Sequence, residues 1–233
     1  MQWREECIVL FQKPFAEKAK IVTLFSRSLG KTAGLLKVLG GAPLQSGDIG
    51  DTAWRGRTAE QLGVLTMENI FSPFVHARKN AQGVFAIDSA CALCKNGLPE
   101  KAPHPGLYDT FKTLLLAVSG KNWIVDYVLF EIKFLAEVGF GLDLSQCALT
   151  GAVDGLSYVS PRTGRAVTAE AGERYRDKLL KLPAFLLSGD RQPGVQDIFY
   201  AFKITEHFLK AYFYDINGSS LPFSRDYLVK NVM

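Results

Sequence analysis

Residues Cys7 to Leu39 read CIVLFQKPFAEKAKIVTLFSRSLGKTAGLLKVL. Cys7-Ile8-Val9-Leu10-Phe11 is a short apolar run, and Pro14 interrupts it. Lys20-Ile21-Val22-Thr23-Leu24-Phe25 is β-branched and aromatic, the composition that fits a pleated, half-buried surface. Ser28-Leu29-Gly30 follows as a turn, and Thr32 to Leu39 is a third run, closed by Gly40-Gly41-Ala42-Pro43. Residues 49–57 and 61–68 supply two more runs, each preceded by a polar or glycine break. Five short strands joined by tight turns within about 70 residues predict a small closed barrel rather than a sandwich.

Beyond Phe71 the texture changes. Apolar residues recur at spacings of three and four, which predicts helices over 81–96, 106–119, 122–138, 169–181 and 195–213. In 122–138, Ile124, Val128, Ile132 and Leu135 are expected to face inward, with Asp126, Lys133 and Glu137 turned away. In 195–213 the inward set is Ile198, Phe202, Thr205 and Leu209. Arg174, Lys178 and Lys181 would share one face of the 169–181 helix. The expected fold is therefore an α+β chain in two parts. A β-barrel domain spans 1–78, and an all-α helical domain spans 79–233 with a long structured loop at 142–168.

That loop lies in GFGLDLSQCALTGAVDGLSYVSPRTGRAVTAEAGERYRDKLLKLPAFLL, residues 139–187. Gly139 or Gly141 would cap the preceding helix. Loops this long inside a compact region are uncommon and are usually functional or stapled. A single cysteine, Cys147, can close neither a disulfide nor a zinc site, so packing must hold the loop.

Composition narrows the class. The net charge is +4, and it is uneven: residues 1–80 carry 11 Lys/Arg against 7 Asp/Glu, whereas 81–233 carry 16 of each. An anionic partner would therefore meet the first third, although an ordinary solvated surface accounts for this excess equally well. The N-terminus has charges where an export signal needs its apolar core, and no run reaches the roughly 18 apolar residues of a membrane span. The four cysteines are thus expected to be reduced and the protein cytoplasmic.

Three patterns that carry chemistry elsewhere fail here. Gly30-Lys31-Thr32 looks like the end of a phosphate loop, but that loop needs a second glycine at position 25, which is Phe. Cys91-Ala92-Leu93-Cys94 lacks a second pair to complete a zinc site, and it lies inside an Ala-rich helix, where buried small residues explain it. His76, His104 and His207 are far apart and belong to no hydrolase signature.

Charge and aromatics interleave more tellingly. Arg4, Lys13, Lys18, Lys20, Arg27, Lys31, Lys37, Arg55 and Arg57 alternate with Trp3, Phe11, Phe15, Phe25 and Trp54. Small barrels that bind single strands combine a cationic groove with aromatic platforms, since phosphates need charge and unpaired bases need a π-face. A solvated surface over an aromatic core gives the same pattern. A second basic cluster runs Arg162, Arg165, Arg174, Arg176, Lys178 and Lys181.

Three stretches carry a family likeness. They are Trp3-Arg4-Glu5-Glu6 with Ile8-Val9-Leu10; Thr52-Ala53-Trp54-Arg55-Gly56-Arg57 with Glu60-Gln61-Leu62-Gly63; and Gly139-Phe140-Gly141-Leu142-Asp143-Leu144 through Cys147, Thr150-Gly151, Tyr158-Val159-Ser160-Pro161, Gly164-Arg165-Ala166-Val167 and Leu182-Pro183. In this order they resemble the RecO family of bacterial recombination mediators. The resemblance implies an N-terminal OB-fold, a helical C-terminal domain and no enzymatic activity. It implies binding of single- and double-stranded DNA, annealing of complementary strands, and partnership with RecR and with the acidic tail of the single-strand binding protein. The outcome would be loading of RecA in repair, in the cytoplasm at the nucleoid.

On this basis the expected DNA contacts are Lys20, Arg27, Lys31, Lys37, Arg55, Arg57, Arg162 and Arg165, with no cofactor. Two departures stand out. Some members pin the loop with a four-cysteine zinc site, whereas here Cys147 is followed by Thr150, and Val167 and Glu170 supply no thiolate pair, so no zinc is expected. The segment Leu36 to Pro43 is also shorter and less basic than the family's usual loop. Two other readings stay open: an interaction adaptor with little DNA affinity, and a small hydrolase whose triad assembles only in space.

Overall fold

The strands of the first seventy positions come from short apolar, β-branched and aromatic runs. A computed structural model describes residues 1–37, 43–58, 61–216, 218 and 220–232. Five strands, β1 (Gln2–Ala16), β2 (Ala19–Ser26), β3 (Gly30–Lys37), β4 (Ile49–Arg55) and β5 (Gly63–Phe71), close into a barrel in the order β1-β2-β3-β5-β4. All pairs are antiparallel except β3 with β5, which meet in parallel over Gly34–Leu36 only. This closed five-stranded, OB-like barrel is the one expected.

Cys7, Val9, Val22, Leu24, Trp54 and Leu65 fill the barrel, as the period of two along a strand requires. The run Cys7 to Leu10 does not alternate because β1 is buried on both faces there. Helix α2 (Ala81–Gly97) covers its outer side, and the Cys91 thiol donates to the Val9 carbonyl at 3.6 Å. Cys91 and Cys94 are fully buried, and burial pushes both thiols well above the ordinary value. They serve as small core residues.

Pro14 does not end the first strand, contrary to the sequence expectation. It pairs with Lys20 in the two-stranded end of β1, beside a bulge between Pro14 and Ala16, where a missing N–H does not break a ladder. Gly30 has φ +70°, and a Cβ there would lie 2.0 Å from the Ala102 carbonyl oxygen. The β2–β3 turn and the segment before α3 (Pro105–Ala117) can approach only because that atom is missing.

The chain packs as two compact units, Met1–Gly120 with Pro222–Leu228, and Lys121–Leu221 with Val229–Met233. The first holds the barrel, the short α1 (Pro73–Ala77), α2 and α3. In the second, α4 (Trp123–Glu137) packs on α7 (Val195–Lys210). Helix α4 differs from expectation. It is buried almost all round, and Asp126, expected outside, is 5% exposed and held by Arg191 at 2.5 Å. Its sequence, WIVDYVLFEIKFLAE, is apolar on every side, which is the mark of a helix enclosed by protein. On α7, Ile198, Phe202, Thr205 and Leu209 are buried as expected, and Thr205 donates to the Glu131 carboxylate at 2.5 Å.

The long loop contains a sheet. Strands β6 (Leu156–Val159), β7 (Ala166–Thr168) and β8 (Leu180–Lys181) pair in the order β7-β6-β8. Residues 169–181 are therefore not one helix. They form α5 (Ala169–Gly172), a 3₁₀ stretch over Glu173–Lys178, and β8. Pairing of Leu180 with Val159 pulls the chain straight, and Gly172 lies so close to the Tyr158 ring that a Cβ would fall at 2.7 Å. Arg174, Lys178 and Lys181 consequently share no helical face. The chain finishes with α6 (Phe185–Ser188), a π-helical extension of α7 over Ala211–Ile216, and α8 (Phe223–Val232).

Candidate nucleic-acid interface

Which cations are free is decided by their neighbours, and the eight expected contacts divide sharply. Lys37 ends β3, Arg55 ends β4, and Arg57 lies just beyond. All three are exposed and, among the described residues, none has a hydrogen-bond or ion-pair partner. Arg55 follows Trp54 directly, and across the sheet it stands between Gln2 and Val64.

The other three barrel cations are engaged. Lys20 donates to Gln12 Oε1 at 3.0 Å, and Gln12 in turn donates to the Leu44 carbonyl. Arg27 forks onto Asp109 of α3, with Nε at 3.0 Å from Oδ1 and Nη2 at 3.1 Å from Oδ2. Both groups are exposed, so a phosphate can compete for that guanidinium. Lys31 is half-buried, and its ammonium donates to the Lys95 carbonyl at 2.7 Å. It thereby caps the last turn of α2, a favoured place for a cation. Burial lowers its pKa from the ordinary lysine value. In the second unit, Arg165 lies 3.4 Å from Asp143, while Arg162 is exposed and unpaired among the described residues. The short loop expected at 36–43 lies mostly outside the described residues.

The aromatics also divide. Phe25 is buried edge-on against Tyr108, with centroids 5.7 Å apart. Phe11 carries the Lys95 ammonium at 3.8 Å from its ring centre. Trp3 stacks on Trp54, with centroids 6.0 Å apart and planes within 4°. Phe15 is 60% exposed. Sequence reasoning grouped Arg4 with the cations, but it is tied to Asp51 at 2.8 Å. It missed that Glu100 and Lys101 are brought to the barrel by a bridge between Lys31 and Glu100 and a 2.9 Å bond from the Lys101 N–H to the Lys31 carbonyl.

Cys147 shows how the long loop holds without a second thiol. The residue is 1% exposed, and its sulfur accepts from the Thr168 N–H at 3.4 Å and lies 3.7 Å from the Thr168 hydroxyl. Burial works to raise its pKa. The Thr150 hydroxyl and the N–H groups of Thr168, Leu149 and Thr150 outweigh that and bring it down to about 6. Among the described residues no group of three or more His, Cys, Asp or Glu could hold a metal. One thiol among threonine hydroxyls does not fit zinc, which wants four strong ligands. A pKa lowered on folding stabilises above the unfolded value and loses that contribution as pH falls through the folded one. The melting difference between the wild type and Cys147→Ala is therefore expected to shrink as pH falls from 9.0 to about 6. Melting curves across that range check this.

Among the described residues no helix is long and apolar enough to cross a membrane. The family model for the recombination protein O N terminus matches residues 1–74, and that for the recombination protein O C terminus matches 80–217. The DNA repair protein RecO of Rhodospirillum centenum is 39% identical over 233 residues, covering 97% of this chain and 92% of its own. The RecO proteins of Paracoccus denitrificans and Caulobacter vibrioides are 39% and 36% identical, each over 98% of this chain. With both halves matched in order and relatives aligned along almost the whole length, the chain belongs to the RecO family.

Proposed function

We propose that this protein is a DNA-binding recombination mediator acting in DNA repair in the cytoplasm, at the nucleoid, without enzymatic activity. It binds single- and double-stranded DNA, anneals complementary strands and, with RecR, helps load RecA onto strands covered by the single-strand binding protein, whose C-terminal tail it engages. Family membership and the relatives' shared designation as DNA repair proteins support the role in repair and recombination. The observation that carries DNA binding is the set of cations Lys37, Arg55 and Arg57, unpaired among the described residues, on a closed barrel where Trp3 stacks on Trp54. Phosphates take the charge, and the partly exposed Trp3 ring, backed by Trp54 of the barrel core, offers a face to an unpaired base. Mediation asks for reversible holding of two strands, which a groove neutralising about 4–6 phosphates supplies.

Titrating labelled single-stranded DNA at several salt concentrations tests this. The expected plot of log K against log salt falls with a slope of about −3 to −4. A flat plot, or no binding at low salt, would leave the adaptor reading standing.

A further inference from the structure

Strand β1 runs past the end of the barrel. Its pairing with β4 stops at Ile8, whereas its pairing with β2 continues to Ala16 and Ala19. Glu17 and Lys18 make the turn, and every residue from Lys13 to Lys18 is exposed. This end of the hairpin therefore projects into solvent. Pro14 stiffens it by fixing φ, and a proline on a free edge keeps other strands from adding there.

Phe15 sits on the projection. The register shifts between Pro14 and Ala16, so Phe15 faces no residue of β2. Bulges of this kind re-aim a side chain. The ring is 60% exposed, and among the described residues no aromatic ring or cation covers it. Phe11, on the same strand, is covered by the Lys95 ammonium. Turns ordinarily carry small or polar residues, and a ring at this place adds nothing to the barrel core. Charge surrounds it. Lys13, Lys18 and Lys37 are all exposed and, among the described residues, unpaired. Lys37 pairs with Ala19, and Ala19 with Ala16, so Lys37 lies two strand spacings from that end of β1, roughly 9–10 Å. From Lys13 to Lys20 the one acid is Glu17.

We infer that Phe15 is a stacking residue for single-stranded DNA: one unpaired base lies on its ring, and Lys13, Lys18 and Lys37 hold the flanking phosphates. The inference rests on the DNA-binding reading above. Every base has a π-face, so such stacking is tolerant of sequence, as a protein that must hold any strand requires. Bases inside a duplex are stacked on both faces and offer none to the ring. The hairpin end thus gives the barrel a preference for single strands that surface charge alone cannot give. Stacking also uses the face of the base and leaves its hydrogen-bonding edge free. A strand held on a projecting ring can therefore still pair with a complement, which is what annealing needs.

The test uses the full chain with two variants, Phe15→Ala and Phe15→Trp. Each is titrated at one salt concentration with a short labelled single strand and with a relaxed circular duplex, which has no open ends. Annealing of two complementary strands is timed, and each variant is melted. Phe15→Ala should lose about fivefold or more in single-strand affinity and anneal more slowly, with duplex affinity and melting temperature unchanged. Phe15→Trp should keep or raise the single-strand affinity. Unchanged single-strand affinity in Phe15→Ala overturns the stacking role, and if Arg55→Glu with Arg57→Glu still weakens binding, the DNA reading survives that loss. Equal loss of single strand and duplex by Phe15→Ala, or a loss in Phe15→Trp as large as in Phe15→Ala, also overturns it. A wild type that binds neither form removes the DNA reading and the stacking role with it.

Discussion

Reversing Arg55 and Arg57 together to Glu is expected to weaken single-strand binding about 30–100-fold at moderate salt, and to make the salt slope shallower by about 2. Of the barrel cations expected to bind DNA, these two and Lys37 have no internal partner among the described residues, so reversing them breaks nothing in the fold. Melting should therefore stay where it is. Arg27→Glu is a sharper contrast, because that guanidinium is already forked on Asp109 and its reversal places two carboxylates side by side. Fluorescence anisotropy across a salt series reads both results. Unchanged affinity in the double reversal would move the interface to the second unit, where Arg162 is exposed and unpaired among the described residues.

Asp48→Ala should produce the largest loss of stability, about 2–4 kcal/mol. Asp48 is 1% exposed, just before β4. One carboxylate oxygen accepts from the Gln45 N–H at 2.8 Å and from Asn69 at 3.2 Å, and the other accepts from the Ser72 hydroxyl. Its backbone also belongs to the bulged part of β1, through a 2.9 Å bond from the Val9 N–H to its carbonyl. Truncation takes the acceptor from three part-buried hydrogen bonds and opens a cavity at the buried Asp48 site. For a chain of this size the melting temperature should fall by roughly 5–15 °C, measurable by circular dichroism. A fall under 2 °C, less than about 1 kcal/mol would give, would show that water replaces the carboxylate at no cost.

Much of the fold is legible along the chain, and the reasons are local. Val22 and Leu24, or Ile198, Phe202, Thr205 and Leu209, carry their periods openly because each face of the element meets one environment. Periodicity misleads where an element has two covered faces or a partner elsewhere. Helix α4 is enclosed, so an inward set read from spacing leaves out Asp126, Phe130 and Phe134. Residues 169–181 have helical spacing, yet β8 is drawn onto β6 by bonds to a strand more than twenty residues earlier. The candidate site was legible as a class, basic and aromatic residues on a barrel, but the identity of its working members was not.

The sequence by itself determined the barrel strands, the helices α2, α3, α4 and α7 and the family marker at 139–187, because turn residues and hydrophobic periods act over a few positions. Only the tertiary structure decided which cations are available. Lys31 finds a carbonyl 64 positions away, Arg27 a carboxylate 82 positions away, and Arg191 a buried aspartate 65 positions away. Charge is a property of a residue, but pairing is a property of a place, and places are set only when distant segments meet.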